Sequence, residues 1–187
     1  TPAQLVAYVY PGSTHAPPPT KGYAYSNTGY ILAELIIEKV THNSYTSELN
    51  RRFLRSDLGL NSTYYSGTMY PSDMLNRMVS GYFFGHDEDN AGLKPLLGRD
   101  VHADSVSWMK SAGAIVSTPE DLTRWARALY TGPMLAPKQR AELFSLVSLK
   151  NGKPIKTTTL EDPRAFGLGV AQMTTPQTGK VWFYEGE

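Results

Sequence analysis

The 187-residue chain carries 18 lysines and arginines against 17 aspartates and glutamates, for a formal net charge of +1, so it lacks the basic surface of a nucleic-acid or anionic-membrane binder. It has no cysteine, which excludes disulfides, thiolate catalysis and thiolate metal ligands and leaves the compartment open. Hydrophobic residues make up 41% of the chain, enough for the core of one domain, and no apolar run approaches the about 20 residues of a membrane span.

The front of the chain is predicted to be a loop followed by two helices. Six prolines and glycines between residues 11 and 22 make residues 1–24 mostly loop. A helix is predicted over residues 29–40, with Asn27 or Thr28 as its N-cap. Its apolar residues recur at helical spacing: Ile31, Leu32, Leu35, Ile36 and Val40. A second helix is predicted from Ser44 to about Arg55.

The middle of the chain is predicted to be irregular, and a clear helix N-terminus follows it. Residues 61–104 contain one short predicted helix over Ser72–Met78, and a loop of this length usually lines a site. The stretch Ser117-Thr118-Pro119-Glu120-Asp121 offers a hydroxyl cap, a first-turn proline and two acids. The helix that follows is predicted to end near Gly132 and to bury four residues: Leu122, Trp125, Ala126 and Leu129.

The last quarter changes from helical to strand patterns. Another helix is predicted over Pro137–Val147, and residues 166–173 and 180–184 are predicted to be strands joined as an antiparallel hairpin. We therefore predict an α+β fold. A mostly helical region spans residues 1–163, and residues 164–187 are the first returning strands of an antiparallel sheet.

The most informative local pattern is Tyr25-Ser26-Asn27, directly before the first long helix. A tyrosine and an asparagine two residues apart on a loop can point into the same space, with the following helix to fix them. The phenol can donate or accept one hydrogen bond, and the carboxamide offers both donors and an acceptor. The spacing alone is equally typical of a helix cap with a packed aromatic, so the residues by themselves leave both interpretations open.

The sequence patterns for a metal site or for a further binding surface are weaker. None of the four histidines has a zinc-ligand spacing: His15, His42, His86 and His102. The acidic run after His86 lacks the ligand positions of a calcium loop. Trp125 and Trp182 are interpreted as core residues. We therefore predict no metal and no cofactor.

Three stretches, in order, carry a family resemblance. They are Tyr25-Ser26-Asn27-Thr28-Gly29-Tyr30, Leu58-Gly59-Leu60-Asn61-Ser62-Thr63 and Ser111-Ala112-Gly113-Ala114-Ile115-Val116-Ser117-Thr118-Pro119-Glu120-Asp121-Leu122. Over nearly its whole length the chain resembles the serine β-lactamase-related penicillin-recognising enzymes. These include class C β-lactamases, serine D-alanyl-D-alanine carboxypeptidases and related esterases. The resemblance implies a β-lactamase/DD-peptidase-like fold, in which a helical region is inserted into an antiparallel sheet.

The resemblance also implies site residues, because the family works through Ser-x-x-Lys, Tyr-x-Asn and a late Lys/His-x-Gly. Tyr25 and Asn27 match the second motif and are the implied catalytic residues. Tyr25, expected to be a neutral phenol at rest, would move a proton between nucleophile and leaving group, and Asn27 would bind the lysine and the substrate amide. The implied substrate-binding residues lie on the last strand. Tyr184 stands where the family has Lys or His, Gly186 keeps the backbone open, and Glu187 gives an oxyanion-hole N–H.

The family's first motif is expected to lie outside this chain. Only 24 residues precede Tyr25, and the literal match Ser107-Trp108-Met109-Lys110 follows Tyr-x-Asn instead of preceding it, so we attribute that match to chance. The sequence begins at Thr1 without Met and ends at Glu187 within a predicted strand. We therefore expect an internal piece of a longer polypeptide, inactive alone, whose remainder supplies the nucleophile.

The implied reaction is acyl transfer from a D-Ala-D-Ala peptide, a β-lactam or an ester through an acyl-enzyme. The expected partners are that small substrate and the remainder of the same polypeptide, with no nucleic acid. Cell-wall substrates would place the protein in the periplasm or outside the cell. A second hypothesis is a non-catalytic homologue that keeps only a peptide-binding cleft, which Tyr184 and the missing first motif would fit. A stand-alone helical domain would leave the ordered motifs unexplained.

Overall fold

The computed structural model describes residues 1–9, 25–65, 69–84 and 88–184. Its α-helices are α1 (Pro2–Val9), α2 (Asn27–Thr41), α3 (Tyr45–Leu49), α4 (Ser72–Leu75), α5 (Pro119–Tyr130) and α6 (Pro137–Leu143). A π-helical segment continues α3 over Asn50–Leu54, and 3-10 segments cover Glu88–Leu96 and Lys110–Ala112. In the part of the chain that the structure describes, no helix is both long and apolar enough to cross a membrane.

The strands form two antiparallel sheets. They are β1 (Tyr64–Tyr65), β2 (Ile115–Val116), β3 (Leu146–Ser148), β4 (Pro154–Ile155), β5 (Arg164–Phe166), β6 (Ala171–Thr175) and β7 (Gly179–Phe183). β1 pairs with β2, and the other five pair in the order β4-β3-β5-β6-β7. The predicted α+β fold is confirmed. β3 and β4 precede residue 164 and already belong to the larger sheet, and the division of the chain at residue 163 stays a prediction.

Helix α2 begins two residues earlier than predicted. Its N-cap is Ser26, whose extended backbone (φ −152°, ψ 109°) lets its hydroxyl accept the N–H of Gly29 at 3.2 Å. The prediction of Asn27 or Thr28 as the cap was therefore wrong, because the serine just before them already fills that role. The helix ends at His42, whose left-handed backbone directs its N–H to the carbonyl of Glu38.

The apolar set predicted for α2 lies on two faces. Ile31 is 4% exposed, but the stripe of Leu32, Ile36 and Val40 is 38%, 62% and 73% exposed. The buried face packs against α1 and the 3-10 segment that precedes β2. Helical spacing therefore predicted the helix correctly, while the buried face is only part of its apolar surface.

Two other predicted boundaries were wrong for identifiable reasons. Residues 146–148 form β3 instead of the end of a helix, because Leu146 and Ser148 are buried while Val147 between them is 42% exposed, the alternation of a strand. The single strand predicted over residues 166–173 is two strands, β5 and β6, with a turn between them in which Gly169 has φ +82°. Residues 2–9, the short start of a stretch predicted to be mostly loop, form α1.

Aromatic rings join the helices to the larger sheet. Tyr130, Phe144 and Trp182 form a cluster with ring centroids 4.8–5.8 Å apart, which links α5 and α6 to β7. Phe53 meets Trp125 edge-on at 5.4 Å. Trp125 and Trp182, predicted to be core residues, pack against other rings and are half-buried. Leu122, predicted to be buried on α5, is 59% exposed.

Candidate functional site

Tyr25 and Asn27 lie together at the start of α2. The Tyr25 hydroxyl donates a hydrogen bond of 2.9 Å to Oδ1 of Asn27. Within the described residues, Nδ2 of Asn27 has no hydrogen-bond partner. The pair therefore presents an exposed amide donor next to a phenol.

The cap of α2 explains why Asn27 can make this contact. Because Ser26 caps the helix, the Asn27 carboxamide is not needed by the backbone and can bond to Tyr25. Ser26, the middle residue of Tyr-x-Asn, thus caps the helix. The side chains of Tyr25 and Asn27 on either side of it bond to each other.

A small apolar cavity adjoins Asn27. Its volume is about 190 Å³, and its lining residues are Leu5, Asn27, Thr28, Ile31, Trp108, Met109 and Ala112. Trp108 is 63% exposed, so part of its ring faces solvent. The cavity places an apolar surface beside the polar Tyr25–Asn27 pair.

The segment from Ser111 to Leu122, the third stretch that carries the resemblance, is hydrogen-bonded to α2 at its Ser111 end. The Ser111 hydroxyl donates to the carbonyl of Tyr30 at 2.8 Å, and its backbone N–H donates to Oε2 of Glu34 at 3.1 Å. Glu34 is 4% exposed. These two bonds fix the segment that lines the cavity to the helix that carries Asn27.

The other end of that stretch is held by Asp121, which is 2% exposed. Its carboxylate accepts from the N–H of Ser62 at 2.7 Å, from the Thr63 hydroxyl at 2.9 Å and from the Arg124 guanidinium at 2.7 Å. Burial is the largest influence and would raise the pKa of Asp121, but these three donors outweigh it and hold the pKa below its usual value. Asp121 therefore joins the Ser62–Thr63 stretch to α5, a structural role.

Tyr184, directly after β7, contacts α2 at Tyr30. The Tyr184 hydroxyl donates to the Tyr30 hydroxyl at 2.5 Å, and the two rings meet edge-on with centroids 6.1 Å apart. Tyr30 follows Asn27 by three residues, which is less than one helical turn, or about 4.5 Å along the axis. The structure thus brings the end of β7 to the same end of α2 as Tyr25 and Asn27.

The remaining predicted residues divide into two groups. Gly186 and Glu187, together with His15 and His86, lie outside the described residues. Ser107 lies in a turn and Lys110 in a three-residue 3-10 segment, so this match to Ser-x-x-Lys does not open an α-helix. Among the residues that the structure describes, no group of three or more histidine, aspartate and glutamate side chains could hold a metal ion.

Sequence reasoning missed the role of Tyr30 and of Glu34. Tyr30 belongs to the stretch that carries the resemblance, but its hydroxyl partner is 154 residues away. Glu34 sits among the apolar residues Ile31, Leu35 and Ile37 of α2, and a carboxylate in such a run was a signal that it binds a partner within the fold.

Helices joined to an antiparallel sheet agree with the β-lactamase-like fold that the resemblance implied. The sequence profile of the Beta-lactamase family matches residues 2–186. The chain belongs to the Beta-lactamase family.

Individual proteins that are similar in sequence or in fold support this assignment. Penicillin-binding protein 4* of Bacillus subtilis (strain 168) is 25% identical over 172 residues, which are 90% of this chain and 35% of that protein. A D-stereospecific amidohydrolase from Streptomyces sp. matches with a TM-score of 0.77 at 25% identity, over 98% of this chain and 48% of its own.

A D-amino acid amidase from Ochrobactrum anthropi SV3, in complex with D-phenylalanine, shares the fold with a TM-score of 0.73 at 24% identity. That match covers 100% of this chain and 50% of the amidase. The chain thus spans about half the length of these solved structures.

Proposed function

We propose that this chain is part of a serine acyl-transfer hydrolase whose nucleophile, in a Ser-x-x-Lys motif, lies elsewhere in the same polypeptide. The observation that carries the proposal is the 2.9 Å bond between the Tyr25 hydroxyl and Asn27, on an exposed helix start beside a cavity. Because Asn27 is exposed, the polar atoms of the pair are accessible to a substrate.

In the proposed reaction, the serine hydroxyl attacks the substrate carbonyl carbon and the bond to the leaving group breaks. Tyr25 passes the serine proton to the departing nitrogen or oxygen, which gives an acyl-enzyme and an amine or alcohol. In a β-lactam this amine stays attached to the acyl group through the opened ring. Water then attacks the acyl ester and returns a proton to the serine. Because Tyr25 starts as a neutral donor to Asn27, it must exchange this bond for one to the serine, in concert with the lysine.

Asn27 is proposed to orient the substrate. Its Nδ2 would donate to the acyl-side carbonyl and its Oδ1 would accept from the lysine once Tyr25 turns to the serine. The backbone after Tyr184, including Gly186 and Glu187, would lie beside the substrate as an added strand and contribute one oxyanion-hole N–H. Loss of one such donor costs about 3 kcal/mol of transition-state stabilisation.

The proposed substrates carry a D-configured acyl residue: a D-Ala-D-Ala-type peptide, a simple amide or ester, or a β-lactam. The names of the Streptomyces amidohydrolase and the Ochrobactrum amidase support the D-configuration. The apolar cavity beside Asn27 would suit an uncharged acyl side chain. If the substrate is a cell-wall peptide, the protein acts in the periplasm or outside the cell.

Mass spectrometry of the full-length protein tests this function. We expect incubation with an activated D-alanine ester, or with benzylpenicillin, to add one acyl group to a single serine within a Ser-x-x-Lys motif. The L-alanine ester is the matched control and should react more slowly. The 187-residue chain alone should acquire no adduct. Acylation of the isolated chain, or of a serine outside such a motif, would contradict the proposal.

The second candidate is a homologue that binds peptides without catalysis. Tyr184, in place of a cation, favours it. In that case the full-length protein would bind a D-Ala-D-Ala peptide, yet no serine would be acylated and no substrate consumed.

A further inference from the structure

A second and larger cavity lies between α3, with its π-helical continuation, and α5. Its volume is about 370 Å³, within the range of about 300–1,000 Å³ that small-molecule pockets occupy. It shares no lining residue with the cavity beside Asn27. We call it the α3–α5 cavity, and no step of the proposed acyl-transfer reaction uses it.

The walls of the α3–α5 cavity are largely aromatic and aliphatic. Tyr45 and Phe53 contribute rings from one side, and Trp125 contributes a ring from the other. Phe53 and Trp125 meet edge-on at 5.4 Å, so these two walls support each other before any ligand binds. Two further lining residues, Ile115 and Leu122, are 46% and 59% exposed. Water therefore reaches apolar surface that a ligand in the cavity would cover.

The polar groups of the cavity form a chain of hydrogen bonds with a fixed direction. The chain starts at Asp121, whose lowered pKa keeps its carboxylate ionised at neutral pH, so that it can only accept. The Thr63 hydroxyl donates its single hydrogen to Oδ2 of Asp121 at 2.9 Å. The Ser117 hydroxyl oxygen lies 2.8 Å from that of Thr63 and 3.3 Å from the carbonyl oxygen of Thr118. The Ser117 hydrogen is therefore used within the protein, by one or the other of these two acceptors.

The Ser117 oxygen consequently meets a ligand as an acceptor. Ser117 is exposed and lines the cavity, and a hydroxyl oxygen carries two lone pairs. A ligand that brings an O–H or N–H can bond to this oxygen, whereas a ligand that brings only lone pairs cannot. A carboxylate is disfavoured further, because it would lose its water against apolar walls in a cavity that the Asp121 carboxylate also lines.

We propose that the α3–α5 cavity is a binding site for a small, uncharged aromatic molecule that carries one hydrogen-bond donor, such as a phenol or an indole. The rings of Phe53 and Trp125 contact the ring of the ligand, and the Ser117 oxygen accepts its hydrogen. This inference goes beyond the proposed acyl-transfer function and does not depend on it, because the residues that carry it take no part in that reaction.

Equilibrium dialysis of the full-length protein at neutral pH against three naphthalene probes tests the site. 2-Naphthol carries the donor, 2-methoxynaphthalene keeps the ring and the oxygen without the hydrogen, and 2-naphthoate carries a negative charge. We expect the Kd of 2-naphthol to be about three- to tenfold lower than that of 2-methoxynaphthalene, the usual contribution of one neutral hydrogen bond. 2-Naphthoate should bind at least about tenfold more weakly than 2-naphthol. No binding of 2-naphthol, equal affinity for the two neutral probes, or a preference for 2-naphthoate would overturn the inference.

A substitution at Ser117 assigns the preference for a donor. Ser117→Ala removes the acceptor and leaves the cavity almost the same size, so the Kd of 2-naphthol should rise to about that of 2-methoxynaphthalene, whose own Kd should not change. Ser47→Ala, which removes a hydroxyl from an exposed position of α3, is the matched control and should change neither Kd. If Ser117→Ala kept the full preference for 2-naphthol, the assignment to the Ser117 oxygen would be wrong. Should this variant not fold, the comparison of the three probes still decides the inference.

Substitutions of apolar residues assign the probes to this cavity. Leu122→Ser removes part of a wall from an exposed position, so it should weaken the binding of both neutral probes several-fold with little change in the free energy of unfolding. Leu168→Ser, at a leucine that is 65% exposed in the turn between β5 and β6, is the matched control. Trp108→Ala alters the cavity beside Asn27 and should leave both Kd values unchanged. Loss of binding in Trp108→Ala but not in Leu122→Ser would place the probes beside Asn27 and overturn the inference. Failure to form an acyl-enzyme would instead overturn the proposed function, and it would leave these Kd values as they are.

Discussion

The start of α2 and the segment from Ser111 to Leu122 contribute equally to the family resemblance, yet they differ in physical character. At the start of α2, Asn27 is exposed, and among the described residues its carboxamide bonds to the side chain of Tyr25. In the other segment, Asp121 is 2% exposed and accepts hydrogen bonds from Ser62, Thr63 and Arg124.

This difference separates side chains that are available to bind a substrate from side chains that hold the fold together. A side chain that will bind a substrate must keep polar atoms available, whereas a side chain that joins distant parts of the chain must have its polar atoms satisfied. Family resemblance alone does not distinguish the two. Substitutions at the start of α2 should therefore change reaction rates, whereas substitutions around Asp121 should change the free energy of unfolding.

The largest expected effect is on activity. In the full-length protein, Tyr25→Phe should lower kcat about 10²–10⁴-fold, the usual contribution of a positioned acid or base. The free energy of unfolding should change by no more than about 0.5 kcal/mol, since only an exposed hydroxyl is lost. Steady-state kinetics and urea unfolding measure the two quantities. Tyr82→Phe, which removes a hydroxyl from a tyrosine that is 58% exposed, is the matched control.

The largest expected effect on stability comes from the other segment. Asp121→Ala should reduce the free energy of unfolding by about 3 kcal/mol, because it leaves the half-buried donors of Ser62 and Thr63, and the Arg124 guanidinium, without their carboxylate. Asp121→Asn, which keeps an acceptor, should cost less. The exposed neighbour Glu120 serves as the control through Glu120→Ala. If Asp121→Ala abolished kcat without changing the unfolding transition, the structural role assigned to Asp121 would be wrong.

A smaller loss of stability is expected at the end of α5. The Arg140 guanidinium donates to the carbonyls of Leu129, Tyr130 and Gly132 and lies over the Phe144 ring with Cζ 5.0 Å from its centre. Arg140→Lys keeps the charge but loses the forked geometry, so the free energy of unfolding should fall by about 2 kcal/mol. Chemical denaturation measures this change. Arg127→Lys, on an exposed position of the same helix, should have almost no effect.

The smallest effect concerns acid stability. Hydrogen bonds from Arg51 and Arg52, with further help from Asn43, lower the pKa of Glu48 from 4.5 to about 2. A lowered folded-state pKa means that the stabilisation is present above about pH 4.5 and is lost as the pH falls towards 2. The urea midpoint should therefore fall between pH 6 and pH 3 by more in the wild type than in Glu48→Gln. Glu142→Gln, on an exposed residue of α6, should behave like the wild type.

The sequence predicted what depends on local patterns. The long helix α2 follows from its apolar spacing, and Thr118 caps α5 where the hydroxyl, proline and acids predicted a helix start. The closeness of Tyr25 and Asn27 could also be predicted, because residues two positions apart in the sequence are always near each other. These features involve residues within one or two turns of each other.

Long-range contacts could not be predicted in the same way. The bond between Tyr184 and Tyr30 depends on where β7 lies relative to α2, which no local pattern encodes. The β3 strand was predicted as helix because Leu146, Val147 and Ser148 are too few to show alternation without their burial. The choice of Ser26 over Asn27 as the cap depends on backbone angles that all polar cap residues could adopt.

A crystal structure of the full-length acyl-enzyme tests most directly whether Tyr25 performs the proton transfer. If the account is right, the distance between the Tyr25 hydroxyl oxygen and Oγ of the acylated serine is about 2.6–3.2 Å, or is bridged by one water, and Asn27 and Tyr184 line the same cleft. A serine on another surface of the protein, beyond the reach of one bridging water from the Tyr25 hydroxyl, would contradict it.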